Sequence, residues 1–255
     1  MRRAHRWEEL LPEEFDGEFA RPPVVYWPCG SVEEHGLQCV LGVDPLTAHE
    51  VCLRAAALSG GIVHPPIYLA PAYIPGFSRE QLRAKEKELY PPSLWVSRAT
   101  CELVYTELME SMADLGFKAC VAVGGHYPAQ LLLEDIGQKR GGRVGDMRLW
   151  CGGIYGLAQQ VFPDLNTTNP ELFGHGLMWE TSNVLALDAD FADLSRVDRI
   201  NASSFTSQLK GLPEQHLARV KEASAAFGND FYDRAAARLA EVARDLRNNK
   251  GAANS

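Results

Sequence analysis

The sequence lacks the features that would place it in several large classes of proteins. No run of about 18 apolar residues occurs, and a membrane-spanning helix requires such a run. The net charge is −8 and Lys and Arg do not cluster, so we expect no nucleic-acid-binding role. The six cysteines include no Cys-x-x-Cys pair, and residues 1–7 are basic without the apolar segment of a secretory signal. We therefore expect a cytoplasmic protein with reduced cysteines, without a membrane partner.

The sequence also shows no internal boundary. At 255 residues the chain is long enough for one large domain, and no Ser-, Gly- or Pro-rich linker divides it. We predict a single domain over residues 1–255, with a disordered tail at 249–255. Residues 79–92 are polar and charged, and their pattern predicts no particular role.

Apolar runs alternate with helical patterns along the chain. The runs Val24–Trp27, Lys118–Val123 and Met147–Ile154 predict buried strands. Helices are predicted from Asp44-Pro45 to Gly60, from Ser93 to Gly116, from Ala129 to Gln138, and from Pro213 to Asn248 with a break near Gly228. This alternation indicates an α/β fold with a largely parallel sheet.

Side chains that can bind metal follow the first predicted strand. Glu33 and His35 are two positions apart, so in an extended chain they project to the same side, with Glu34 opposite. Asp44 lies nine residues after His35. A Glu-x-His pair with a nearby Asp supplies oxygen and nitrogen ligands for a divalent metal. Asp44 also has a simpler interpretation, as the N-cap of the helix that Pro45 begins.

The second predicted strand ends in a similar way, at Gly124-Gly125-His126. If the two strands are neighbours in a parallel sheet, His126 lies close to Glu33 and His35, at the edge where open α/β sheets bind ligands. Later in the chain, His175 stands between glycines and Glu180 opens an apolar helix, where the helix dipole alone favours an acidic residue. From spacing alone, a metal site and ordinary capping roles both remain open.

Four motifs together resemble the creatininase (creatinine amidohydrolase) family. They are Gly30-Ser31-Val32-Glu33-Glu34-His35-Gly36, the nine-residue step to Asp44, Gly124-Gly125-His126, and His175-Gly176-Leu177-Met178-Trp179-Glu180-Thr181-Ser182. The likeness spans residues 7–196, with the motifs in the family's order. The resemblance implies a three-layer α/β/α sandwich and a homohexamer. It also implies two divalent metal ions per chain, Zn or Mn with Fe as an alternative.

The resemblance further implies a role for each candidate residue. Glu33 and His126 would bind one metal, His35 and Glu180 would bind the other, and Asp44 would bridge them. His175 matches the family's catalytic histidine. In creatininase itself a Glu two residues after the Gly-His is a ligand. That position is Pro128 here, so the carboxylate of the second metal is assigned to Glu180.

These implied ligands predict a hydrolase that acts on a small molecule. Two cations would make hydroxide available near neutral pH and polarise a carbonyl, and His175 would carry a proton to the leaving nitrogen. We expect hydrolysis of a C–N bond in a cyclic or formyl amide of a small polar molecule. Two alternatives remain: hydrolysis of a C–C bond in a cyclic ketone such as an oxidised inositol, and a non-catalytic, metal-stabilised oligomer.

Several segments depart from the family pattern. Gly36-Leu37-Gln38-Cys39-Val40 replaces a Gly-Pro-His-Leu-Pro type segment, Gly124 replaces an Asn, Tyr127-Pro128-Ala129-Gln130 replaces Gly-Gly-Asn, Met178 replaces a frequent Glu, and Arg79–Tyr90 replace a Phe-Pro-Gly-Thr segment. Because these positions surround the implied ligands, we predict that creatinine is not the substrate. We also predict that Leu37–Val40 helps to select the substrate.

Overall fold

The computed structural model describes residues 5–19, 23–71, 93–94, 96–164, 172–204 and 207–248. The predicted tail at 249–255 and the segment 79–92 lie outside these ranges. None of the helices within them is both long and apolar enough to cross a bilayer.

A five-stranded sheet forms the centre of the described structure. Its strands are β1 (Val24–Cys29), β2 (Ile62–Val63), β3 (Ala119–Gly124), β4 (Arg143–Val144) and β5 (Met147–Gly153), in the order β2-β1-β3-β5-β4. Three of the four pairings are parallel, and β4 pairs with β5 in the antiparallel direction. The predicted α/β class with a largely parallel sheet is confirmed, as is the pairing of the first two predicted strands.

Helices cover both faces of this sheet. They are α1 (Pro12–Glu18), α2 (Val43–Ser59), α3 (Arg98–Asp114), α4 (Tyr127–Lys139), α5 (Ile154–Val161), α6 (Met178–Leu187), α7 (Glu214–Val220) and α8 (Ala225–Arg247). Short 3-10 turns occur at Trp7–Glu9, Ala189–Phe191 and Leu194–Arg199. The helices α2, α5, α6 and α8 share one hydrophobic cluster with the sheet, and α3 and α4 share another on the opposite face. The result is the expected three layers.

Alternation along the strands divides the core between these layers. In β1, Val24 and Tyr26 belong to the cluster of α2 and α8, whereas Val25 and Trp27 belong to the cluster of α3 and α4. All six residues of β1 are buried. A parallel strand between two helical layers has no solvated face, which is why its sequence is a continuous apolar run.

Two predicted helix starts are wrong. Helix α3 begins at Arg98 after Ser97, whose Oγ accepts the Thr100 N–H, because Ser93 Oγ instead accepts the Glu34 N–H at 2.9 Å. Helix α2 begins at Val43 with Gly42 as its N-cap, so Asp44 lies inside the first turn. The capping interpretation of Asp44 is therefore wrong.

The predicted break near Gly228 is also misplaced. The C-terminal segment is interrupted between α7 and α8, at 221–224, and Gly228 lies inside α8. A Cβ at Gly228 would overlap the Ser182 carbonyl of α6. This glycine therefore permits close packing of α8 on α6 and does not end a helix.

Candidate metal centre

The C-terminal ends of β1 and β3 position the predicted ligands. Cys29 at the end of β1 is opposite Gly124 at the end of β3, so the loops that follow begin at the same edge of the sheet. The backbones then approach closely, since a Cβ at Gly125 would overlap the Asp44 carbonyl. This approach brings His126 next to Asp44, in the first turn of α2.

Glu33, Asp44 and His126 form one set of donors, which we call the outer group. His126 Nδ1 lies 2.8 Å from Glu33 Oε2 and 3.1 Å from Asp44 Oδ2. One ligand atom from each residue lies within 4.8 Å of the others. Glu33 and His126 are 8% and 7% exposed.

His35, Asp44 and Glu180 form a second set, which we call the inner group. His35 Nε2 lies 3.0 Å from Asp44 Oδ1 and 3.6 Å from Glu180 Oε2. Their ligand atoms meet the same 4.8 Å spacing, and both His35 and Glu180 are 0% exposed. Asp44 belongs to both groups, because Oδ1 faces the inner histidine and Oδ2 faces the outer one.

Backbone carbonyls orient both imidazoles. The His35 Nδ1 donates to the Glu33 carbonyl at 3.1 Å, and the His126 Nε2 donates to the Pro71 carbonyl at 3.2 Å. Because a carbonyl oxygen only accepts, these nitrogens carry the hydrogen, and the opposite nitrogen of the neutral ring has the lone pair. In each group that opposite nitrogen faces the carboxylates. Metal-binding histidines typically have this arrangement.

Without a cation, protons on the histidines balance the carboxylates. Burial alone would lower the pKa of His126, but Glu33 and Asp44 raise that pKa to about 10. Burial likewise opposes the charged form of His35, yet Asp44 and Glu180 raise its pKa well above the usual value. Burial would raise the pKa of Asp44, and the two histidines outweigh it and lower that pKa. Asp44 therefore stays negative and requires compensating positive charge.

The donor set fits divalent ions. Glu33 Oε2 and Asp44 Oδ2 are buried and make no hydrogen bond to the residues that the structure describes, although both lie close to His126 Nδ1. A buried carboxylate oxygen without a hydrogen bond is costly unless a cation neutralises it. Imidazole nitrogens and carboxylate oxygens together suit Zn, and the same two kinds of ligand also bind Mn and Fe.

His175 lies against the inner group. Its ring stacks on His35 with the centroids 4.2 Å apart, and its Nε2 donates to the Glu34 carbonyl at 2.5 Å. The lone pair of the neutral ring is therefore on Nδ1. A third set of Glu33, His35 and His175 also meets the 4.8 Å spacing. Metal binding by His175 is thus a competing interpretation to a proton-transfer role.

The carboxylate of Glu34 faces away from both groups, as the sequence predicts. Glu34 Oε1 accepts the Gly36 N–H at 2.6 Å, and Glu34 Oε2 accepts the Gln208 N–H at 3.1 Å. Gly36 has a φ of +81°, a left-handed conformation that glycine adopts without strain. The turn at Gly36 thus lets the loop fold back onto the Glu34 side chain.

Sequence analysis missed two polar side chains at this site. The Gln208 Nε2 donates to Glu33 Oε1 at 3.1 Å, and the Tyr155 hydroxyl donates to Glu180 Oε1. Burial and the Glu180 charge raise the pKa of Tyr155, which keeps its hydroxyl protonated. Tyr155 directly follows the third predicted strand, so the rule that ligands bind at strand ends could have indicated it. Gln208 has no comparable signal in the sequence.

The segment Leu37–Val40 connects the first loop to the region of His175. Gln38 is buried, and its Nε2 donates to the Gly176 carbonyl at 2.8 Å. Cys39 Sγ lies 3.4 Å from Thr181 Oγ1 on α6. The described contacts of this segment are therefore structural, and its role in substrate selection stays a prediction.

A family model described as creatininase, creatinine amidohydrolase, matches residues 8–243. The chain belongs to the creatininase family. A creatinine amidohydrolase from Pseudomonas putida is 24% identical over 205 residues, which cover 74% of this chain and 74% of that protein.

Solved creatininase structures share the fold. A tryptophan-to-phenylalanine variant of creatininase has a TM-score of 0.70 and 23% identity, covering 95% of this chain and 98% of that chain. A manganese form of creatininase has a TM-score of 0.69 and 21% identity, covering 94% of this chain and 98% of that chain. At these identities the likeness establishes a common architecture.

Proposed function

We propose that this protein is a dinuclear, metal-dependent amidohydrolase. The observation that carries the proposal is the pair of donor groups that share Asp44. Glu33 and His126 would hold one ion, and His35 and Glu180 would hold the other. Membership of the creatininase family supports hydrolysis of an amide-type bond, and the manganese form of a relative supports Mn beside Zn or Fe as the metal.

The chain's own residues prepare the site for this reaction. When bound, the ions would supply an acidified water and a polarised carbonyl. Asp44 directs one oxygen to each group, and the Glu33 and Pro71 carbonyls keep the free nitrogens of His35 and His126 facing the carboxylates. The Glu34 carbonyl holds His175 so that its Nδ1 can accept a proton and pass it to the leaving nitrogen.

We propose a C–N bond of a cyclic or formyl amide in a small polar molecule as the target, and that this molecule is not creatinine. Two residues after His126, where creatininase has a ligand carboxylate, Pro128 is buried in the first turn of α4. Between them Tyr127 is 40% exposed, and its ring packs edge-on against Tyr155 with centroids 5.6 Å apart. This chain therefore has a proline in place of that carboxylate and an aromatic side chain next to it, so its pocket differs from that of creatininase.

Metal analysis of the purified protein tests the centre. We expect two ions per chain, with losses in Glu33→Ala and Asp44→Ala. Less than one ion per chain, unchanged in both variants, contradicts the dinuclear proposal.

A substrate screen tests the reaction. Cyclic and formyl amides, ring ketones and lactones are compared, with release of ammonia or amine as one readout. Ring opening of a cyclic amide, which gives a carboxylate and an amine in one product, or release of amine from a formyl amide supports the amidohydrolase. Cleavage of a ring ketone without amine release favours the C–C alternative. An oligomer that dissociates when the metal is removed, without turnover of any compound, favours the non-catalytic alternative.

We also propose that the whole chain is one domain that assembles as a homohexamer in the cytoplasm, as the resemblance to the family implies. Light scattering coupled to size-exclusion chromatography measures the mass of the assembly, and a mass other than six chains contradicts the hexamer.

A further inference from the structure

Glu33 belongs only to the outer group and Glu180 only to the inner group, whereas Asp44 belongs to both. Each of these two glutamates accepts a hydrogen bond from an uncharged side chain that lies outside the family motifs. Glu33 Oε1 accepts the Gln208 amide, which leaves Glu33 Oε2 facing His126. Glu180 Oε1 accepts the Tyr155 hydroxyl, while Glu180 Oε2 accepts the Gly176 N–H at 2.6 Å and faces His35. In both cases the neutral side chain binds one carboxylate oxygen, and the other oxygen faces the histidine of the group.

Gln208 is itself held in place by a short segment of irregular structure. Its backbone N–H donates to Glu34 Oε2 at 3.1 Å, and the flanking Ser207 and Leu209 are 3% and 1% exposed. Leu209 packs over Gly36 and Gly176, where an added Cβ would lie 2.7 and 3.2 Å from Leu209 Cδ1. The segment is therefore anchored on both glycine turns of the site, which makes the Gln208 contact a defined part of the structure.

Tyr155 is held by aromatic neighbours. It lies in the first turn of α5, directly after β5, and its ring packs edge-on against Tyr127 and Trp179 with centroids 5.6 and 5.1 Å away. Trp179 is fully buried and precedes Glu180 on α6. The ring therefore has little freedom to move, and its hydroxyl remains directed at Glu180.

We propose that Gln208 and Tyr155 are positioning residues, each selective for one metal ion. Gln208 would act through Glu33 on the ion of the outer group, and Tyr155 would act through Glu180 on the ion of the inner group. Outer partners of metal ligands change metal affinity because they set the orientation of the ligand. This inference rests on the proposed function, since it requires two ions with separate carboxylates.

Stepwise Zn affinities of the full chain, measured by competition with a chromogenic chelator, test this proposal. Gln208→Met keeps the side-chain length without the amide, and Tyr155→Phe removes only the hydroxyl. Each should weaken one of the two binding steps by about 10- to 100-fold and leave the other unchanged. The double variant should then weaken both steps.

Two matched variants control for structural damage. Gln215→Met changes an exposed glutamine of α7, and Tyr232→Phe removes a buried hydroxyl that donates to the Asn183 carbonyl at 2.9 Å. Both should keep the two wild-type affinities. A Tyr232→Phe variant that weakens Zn binding as much as Tyr155→Phe does would overturn selective positioning by Tyr155.

The remaining outcomes separate this inference from the proposed function. Two tight Zn ions in the wild type, with neither Gln208→Met nor Tyr155→Phe changing either step, refute the positioning roles alone. The same conclusion follows if both variants weaken one and the same step. A wild-type protein that binds less than one Zn per chain refutes the dinuclear centre and, with it, this inference.

Discussion

The outer and inner groups use the same kinds of donor but differ in their access to water. Each has one histidine, one glutamate and an oxygen of Asp44. The outer residues Glu33 and His126 keep a small exposed fraction, whereas His35 and Glu180 have none. Charges with some access to water are cheaper to leave uncompensated than charges that are fully buried. Two groups with the same types of ligand can therefore differ in their affinity for metal, and the outer and inner groups differ in burial.

The largest expected effect comes from Asp44, the residue that the groups share. Because Asp44 offers one oxygen to each histidine, Asp44→Ala should lose both ions and all turnover. Metal content by mass spectrometry and circular dichroism of the same sample measure the change. Asp146→Ala, at an exposed position, is the control. One ion retained in Asp44→Ala would mean that the groups are independent.

The next effect separates the groups. Glu33→Gln should lose only the outer ion and Glu180→Gln only the inner ion, because Glu33 lies 2.8 Å from His126 and Glu180 lies 3.6 Å from His35. Metal content should fall from two ions to one in each variant. Loss of both ions in either variant would show that one group cannot bind without the other, and the comparison between them would fail.

Replacing His175 is expected to leave the metal content unchanged and to lower the turnover rate. His175→Ala should keep both ions and lower kcat by about 100- to 10,000-fold, because the proposed proton-transfer group is removed while the proposed ligands remain. His216→Ala, on α7, is the control. A His175→Ala protein with one ion fewer would instead assign His175 to the set with Glu33 and His35.

The smallest effect concerns the kinetics of metal removal in the unaltered protein. A chelator should remove the two ions in separate phases, the faster from the outer group, since Glu33 and His126 are 8% and 7% exposed whereas His35 and Glu180 are 0% exposed. Glu33→Gln should retain only the slower phase. A single phase of metal loss in the wild type, or a fast phase that remains in Glu33→Gln, would contradict the prediction that the ion of the outer group is the more accessible to solvent.

The local sequence predicts the central strands and the positions of several candidate ligands. The apolar runs at β1 and β3 predict buried strands, which the structure pairs, and Glu33, His35 and His126 follow at the strand ends, where the loops of a parallel sheet meet. Helix starts were less accurate, because a serine or an aspartate has the same capping propensity whether or not a tertiary contact uses it. Ser93 and Asp44 are both used by tertiary contacts.

The local sequence predicts the buried strands at the centre of the sheet, the six candidate side chains and the orientation of Glu34 away from Glu33 and His35. The tertiary structure is needed to show how the carboxylate oxygens are distributed between the two groups and which neutral donors bind them. Gln208 and Glu33 are 175 positions apart, and Tyr155 and Glu180 are 25 apart. Periodicity and capping report only neighbours along the chain, so contacts across such separations depend on the packing of the loops.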